Sequence, residues 1–155
     1  MPELFPPNKD WIDLLTALLT PVVALAAIWI ASRQSKINRN RLKLELFDRR
    51  FEVYSKVAAF LSQIMIDGKV QDGAEMEFLR DTKTASVLFD DTIKELISEI
   101  YKKAIRLQTY GTELDALHGD SRVDNLENQT EIKIWMSGTL LNLEDRFKPY
   151  LKLEH

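Results

Sequence analysis

The sequence predicts an all-α protein in which one N-terminal transmembrane helix is followed by a cytoplasmic bundle of about four helices. An uncharged stretch of 19 residues runs from Leu14 to Ser32, and a basic segment follows it directly. The rest of the chain carries apolar residues at helical spacing. The predicted domains are a short extracytoplasmic N-terminus at residues 1–10, a span at 11–32, and a juxtamembrane helix with the helical domain at 33–155.

Composition limits the classes of protein to which the chain can belong. With 155 residues, 45% of them apolar, it is long enough for one domain and a short additional segment. The absence of cysteine excludes disulfides, thiolate catalysis and cysteine-ligated metals. Residues 33–50 hold seven Lys or Arg against Glu45 and Asp48, whereas residues 51–155 are acidic. Nucleic-acid binding is disfavoured because the remainder of the chain is acidic.

The uncharged stretch has the length of a membrane span. As a helix it would measure about 28 Å, which matches the hydrocarbon core of a bilayer. Trp11 and Trp29 flank it and are predicted to lie at the two membrane interfaces, where indole is favoured. Pro21 is predicted to bend the helix. The alternative is an unusually apolar core helix in a soluble protein.

The basic residues after the stretch predict its orientation. Positive flanks are retained in the cytoplasm, so the N-terminus is expected outside and the C-terminus inside. Anionic headgroups would attract the same side chains, which makes the lipid bilayer a predicted partner. These residues are Arg33, Lys36, Arg39, Arg41 and Lys43.

A row of small residues within the stretch predicts packing against another helix. Its members share one helical face, so that two backbones could approach closely. The alternative is that the row occurs by chance and the protein is monomeric. The row consists of Thr16, Thr20, Ala24, Ala27 and Ala31.

Beyond Ser32 a long first helix is predicted, because no glycine or proline occurs before Gly68. Two adjacent apolar stripes on this helix predict one wide buried face, in which Phe51 is a core residue. The first stripe is Phe47, Phe51, Tyr54, Ala58, Leu61 and Met65, and the second is Leu46, Val53, Val57, Phe60 and Ile64.

Turn residues and caps predict the remaining helices. A second helix begins near Ala74, and its apolar residues continue to Phe89. A third begins with a capping box at Thr92. Its predicted apolar residues are Ile93, Leu96, Ile97, Ile100, Tyr101, Ala104 and Leu107. It ends at His118, with Gly119 as the glycine that follows a helix C-terminus.

The last predicted helix lies beyond a loop at residues 120–125. It carries apolar residues from Leu126 onward, extending toward Leu151. A bend is expected at Ser137 and Gly138.

The sequence offers little that points to catalysis. It contains no Walker loop, nucleophile elbow, His-Glu-x-x-His sequence or Rossmann fingerprint, so no enzymatic activity, cofactor or metal is predicted. Asp115 and His118 have the i, i+3 spacing of a metal-ligand pair on a helix, but a capping or solvent-facing His118 is the favoured interpretation. An enzyme that assembles scattered carboxylates stays open.

The segment at residues 46–54 is similar to a motif found in other proteins. The sequence Leu-Phe-Asp-Arg-Arg-Phe-Glu-Val-Tyr at 46–54 resembles a motif that follows the anchor in small bacterial single-pass membrane proteins of uncharacterised function. The resemblance implies an inner-membrane location and no activity. The predicted function is a membrane-tethered helical interaction or scaffold module that self-associates or recruits a protein partner. The alternative is a membrane-bound sensor or effector of a bacterial stress or defence system.

Overall fold

A computed structural model describes the backbone of residues 9–152 and the side chains of Leu19 and residues 21–152. Within residues 9–152 all regular structure is helical, which confirms the all-α part of the predicted fold class. The chain divides into two compact units, Met1–Lys43 and Leu44–His155. The helices are α1 (Lys9–Asp67), α2 (Ala74–Asp81), α3 (Ala85–Leu88), α4 (Asp91–Glu113), a 3₁₀ turn (Leu114–Ala116), α5 (Asp120–Leu141) and α6 (Leu143–Phe147).

The prediction of a transmembrane helix, and with it a single-pass membrane protein, is wrong. In the part of the chain that the structure describes, no helix has both the length and the hydropathy needed to cross a membrane. A span needs about 20 apolar residues.

The alternative of a core helix is also wrong for the described side chains of the first unit. Leu25 is 68% exposed and Ile28 is 66% exposed, and their apolar neighbours on this part of α1 are exposed as well. A core helix would bury one face against other elements.

In the second unit, α1 contributes only part of its predicted apolar face to the core. Val53, Val57, Leu61 and Ile64 are buried, at the 4, 4, 3 spacing of one helical stripe. Phe51, predicted to be a core residue, is 47% exposed. The buried face therefore begins at Val53, about two turns later along α1 than the predicted stripes, which start at Leu46 and Phe47.

The predicted second helix is interrupted. It begins at Ala74 as expected, but α2 ends at Asp81 and a separate short helix, α3, follows. At the break the hydroxyl of Thr82 donates a hydrogen bond to the carbonyl oxygen of Phe78 (2.7 Å). Hydrogen bonds of this kind bend helices. Threonine, a β-branched residue, also has a lowered helix propensity.

The third predicted helix corresponds to α4, whose predicted core face is confirmed. Its buried residues are Ile93, Leu96, Ile97, Ile100, Ala104 and Leu107. The cap differs from the prediction, because a carboxylate oxygen of Asp90 accepts from the backbone N–H groups of Thr92 (3.1 Å) and Ile93 (3.4 Å). The cap therefore precedes the predicted capping residue Thr92 by two positions.

The boundary between α4 and α5 was predicted wrongly. The third helix does not reach His118, and the predicted loop at 120–125 is the first part of α5. Gly119 has a positive φ of 60° but precedes α5 instead of closing α4. Arg122 donates a hydrogen bond to the carbonyl oxygen of Leu114 (2.6 Å), which ties the start of α5 to the 3₁₀ turn.

The end of the chain also differs from its prediction. No helix break occurs at Ser137 and Gly138, and α5 continues to Leu141 before the short α6. Phe147 on α6 is fully buried. Its ring packs edge-on against Tyr54 of α1 (5.5 Å between centroids) and Phe89 (5.3 Å), so α6 closes the core over α1.

Candidate docking groove

A groove of about 630 Å³ lies between α2, α3 and the first half of α4, all within the second unit. Its floor is apolar and its rim is polar, and it opens to solvent on one side. The lining residues are Met76, Leu79, Arg80, Thr82, Lys83, Ala85, Ser86, Lys94, Ile97, Ser98 and Tyr101.

The groove exists because α2 is fixed to α1 by its opposite face. The Phe78 ring stacks on Phe60 (4.3 Å between centroids), and the carboxylate of Asp81 pairs with the ammonium of Lys56 (2.9 Å). The hydrogen bond from Lys56 to Asp81 and their charge attraction raise the pKa of Lys56 above its ordinary value. Leu79 is left 44% exposed on the groove side.

One end of the groove is closed by a contact between α2 and α4. The hydroxyl of Tyr101 lies 3.9 Å from the sulfur of Met76, a weak hydrogen bond. Met76 itself remains exposed beside it. A methionine in this position can adjust its rotamer to different apolar shapes.

The charged residues that line the groove are all cations. Arg80 lies within salt-bridge distance of Glu77 (3.5 Å) and Asp81 (3.8 Å), and Lys94 pairs with Asp91 (3.0 Å). Among the described residues, no carboxylate lies within salt-bridge distance of Lys83. Of the three lining cations, Lys83 is therefore the one whose charge is not balanced at this distance within the described part of the chain.

The chemistry of the groove is suited to binding. An apolar floor with a cationic rim recognises an apolar surface that carries acidic groups. The hydroxyl of Ser86 donates to the carbonyl oxygen of Lys83 (3.1 Å) and is not paired with a base in the described contacts. The groove lining contains no histidine and no carboxylate.

The residues predicted to orient the chain in a membrane lie on the first part of α1. The five basic residues from Arg33 to Lys43 are all exposed. Trp29 is exposed too, and the Arg33 guanidinium lies 4.6 Å from the centroid of its ring. Trp11 lies outside the described side chains. The roles predicted for these residues, and the predicted location, stay predictions.

The predicted helix-packing row is only partly described. Ala24, Ala27 and Ala31 are exposed on α1, whereas Thr16 and Thr20 lie outside the described side chains. Packing through this row stays a prediction.

The possible metal pair loses the geometry that suggested it. Asp115 lies in the 3₁₀ turn and His118 is exposed in the link after it, so the two do not share a helical face. In the described part of the chain, no group of three or more His, Cys, Asp or Glu side chains is placed to hold a metal ion.

Comparison of the chain with protein-family models, with curated proteins and with solved structures finds no match. The resemblance of the 46–54 motif to small bacterial membrane proteins therefore stays a prediction. The groove was not predicted from the sequence, because the apolar pattern from Ala74 to Phe89 indicates one helix where the structure has α2 and α3.

Proposed function

We propose that the second unit is a protein-interaction module whose groove binds an acidic amphipathic helix of a partner. The proposal is carried by one observation, namely an open apolar groove with Arg80, Lys83 and Lys94 on its rim and no carboxylate in its lining. This retains the interaction role predicted from the sequence without the membrane tether. The sensor or effector role stays a prediction.

Shape supports a helical occupant. The floor is formed by side chains on α2 and α4, and a groove between two helices accepts the apolar face of a third, with anchors at i, i+3 or i+4 and i+7. Leu79 and Ile97 offer the apolar contact, and Met76 can adapt to the anchor that enters.

Charge supports an acidic occupant. Lys83 lies on the rim with no carboxylate within salt-bridge distance among the described residues, so an acidic side chain of the partner would give it a counter-charge. Rim pairs contribute mainly to association rate and specificity, and salt screens them. Binding should therefore weaken as ionic strength rises.

The size of the groove sets the expected affinity. Stable protein interfaces bury about 800 Å² on each partner, which is more than two turns of a helix can cover. We expect a dissociation constant on the order of 10 µM or weaker.

Fluorescence anisotropy of labelled peptides with the full-length protein tests the proposal. The probes are two amphipathic helices with the same leucine face, one flanked by glutamate and the other by lysine. We expect the glutamate peptide to bind at least ten-fold more tightly. Equal binding of the two peptides would refute an acidic occupant.

A matched pair of variants locates the binding. Leu79→Glu places a carboxylate in the groove and should abolish binding of the acidic peptide, because it adds charge repulsion and removes apolar contact. Val87→Glu makes the same kind of change at a side chain that is 87% exposed and outside the groove, so binding should persist. If both variants bind like the parent, the groove is not the site.

A further inference from the structure

A second exposed apolar surface lies on α5, in the same unit. Val123 and Leu126 line a shallow depression together with Glu127, Thr130 and Glu131. Val123 and Leu126 are both exposed, and Ile134 continues the apolar row one turn beyond Thr130. We call this surface, Val123, Leu126, Glu127, Thr130, Glu131 and Ile134, the α5 face.

The α5 face is acidic where the groove is basic. Glu127 and Glu131 are exposed and one helical turn apart, so their like charges repel each other. Among the described residues, neither carboxylate has a cation within 4 Å. A neighbouring cation would relieve this repulsion, and in the described part of the chain Lys83 on the groove rim has no carboxylate within salt-bridge distance.

Within one chain, the two surfaces do not cover each other. Leu79 in the groove and Leu126 on the α5 face are both exposed while the helices that carry them are packed in the same core. Any contact between the two surfaces must therefore join two copies of the chain.

We infer that the partner helix is α5 of a second copy, whose α5 face enters the groove of the first copy. The inference rests on the proposed function and adds the identity of the occupant. The contact places Val123 and Leu126 on the apolar floor and Glu127 and Glu131 at the cationic rim. It is heterologous, because the two copies use different surfaces, and repetition of the contact gives rings or open chains.

Charge argues against the simpler alternative of an α5 face that pairs with itself. Such a contact would bring Glu127 and Glu131 of two copies close together and leave the groove empty. Like charges at an interface are costly.

Cysteine cross-linking of full-length protein distinguishes these contacts, because the sequence contains no cysteine of its own. Ser86→Cys labels the groove and Thr130→Cys labels the α5 face. The two variants are mixed under mild oxidation. We expect a disulfide-linked dimer at several times the yield of either variant alone. Val87→Cys mixed with Thr130→Cys is the control, since Val87 neighbours Ser86 but lies outside the groove.

Charge reversal tests the pairing more strictly. Lys83→Glu in the groove copy, or Glu127→Lys in the α5 copy, should each lower the yield about two- to five-fold. Both changes together, one in each copy, should restore it. A merely structural effect of either substitution would not be rescued in this way.

Three outcomes would overturn the inference. The first is the highest yield from Thr130→Cys alone, which would indicate paired α5 faces. The second is a mixture that gives no more product than the control up to millimolar concentration. The third is a double reversal that does not restore the yield. If the acidic peptide still binds the parent and not Leu79→Glu, the proposed function stands and only the identity of the occupant fails.

Discussion

The guanidinium of Arg50 on α1 donates a hydrogen bond to the backbone carbonyl oxygen of Tyr150, 100 residues further along the chain (3.1 Å). A second nitrogen of the same group donates to the carbonyl oxygen of Leu88 at the end of α3 (3.2 Å). One partly buried side chain thus joins α1, the end of α3 and the C-terminal segment that follows α6.

We expect Arg50→Gln to lower the free energy of unfolding by about 2 kcal/mol, because two carbonyl groups lose a charged donor. Arg49→Gln is the matched control. Arg49 pairs with Glu45, both side chains being more than half exposed, and such pairs contribute little. Urea unfolding of both variants, followed by circular dichroism, measures the difference. Equal midpoints would show that Arg50 does not hold these segments together.

The hydrogen bond between Tyr150 and Asp90 gives stability a pH dependence. This bond lowers the pKa of Asp90. Its contribution to the stability of the fold is therefore present above the unfolded-state pKa of Asp90, and it is lost as pH falls through the lower folded-state pKa. The same bond, followed by burial, raises the pKa of Tyr150. That contribution is present below the unfolded-state pKa, near 10, and is lost as pH rises through the folded value.

Tyr150→Phe removes the bond, and we expect it to lower the thermal midpoint at pH 7. The difference between parent and variant should shrink below about pH 4 and again above about pH 10. Comparing the two proteins cancels the titration of groups that they share. A difference that stays constant from pH 3 to pH 11 would contradict the assigned bond.

The exposure of Phe51 leads to a prediction opposite to the one that the sequence pattern suggests. Phe51→Asp should keep the helicity of the parent and lower its thermal midpoint only slightly, because the ring is 47% exposed. Val57→Asp, six residues further along the same helix, should unfold the second unit, since that side chain is fully buried. Circular dichroism distinguishes the two. Loss of structure in Phe51→Asp would restore Phe51 to the core.

These two residues show how far periodicity predicts the core. Spacing identified α1 as a helix with apolar stripes and predicted all six buried residues of α4. Spacing could not show which part of α1 the other helices cover. The buried face starts at Val53, next to Tyr54, on which Phe147 of α6 packs. The Phe51 ring lies against rings of its own helix, those of Phe47 and Tyr54, and stays half exposed.

The groove was harder to predict, because it depends on a helix break without glycine or proline. Thr82-Lys83-Thr84 gives only a weak signal, namely two β-branched residues separated by one lysine. Because the chain changes direction at the break, the residues that line the groove lie where one continuous helix would not have placed them. Local pattern alone does not report how two short helices pack against a third.

The final prediction compares two glycine-to-alanine substitutions, which should change the free energy of unfolding in opposite directions. Gly138 lies inside α5, where an added Cβ would meet no atom within 4 Å. Gly138→Ala should therefore raise the free energy of unfolding by about 0.5–1 kcal/mol, because alanine loses less backbone entropy in a helix. The gain also depends on α5 running unbroken through this position, contrary to the bend that the sequence suggested.

Gly119→Ala should have the opposite effect although space is equally open there. Gly119 has φ of 60° and ψ of −138°, a conformation that is accessible essentially only to glycine. The substitution should lower the free energy of unfolding by about 1–3 kcal/mol or shift the start of α5. Thermal unfolding of the parent and both variants gives the order Gly138→Ala, parent, Gly119→Ala. If Gly138→Ala proves the least stable of the three, α5 bends at Ser137 and Gly138 after all.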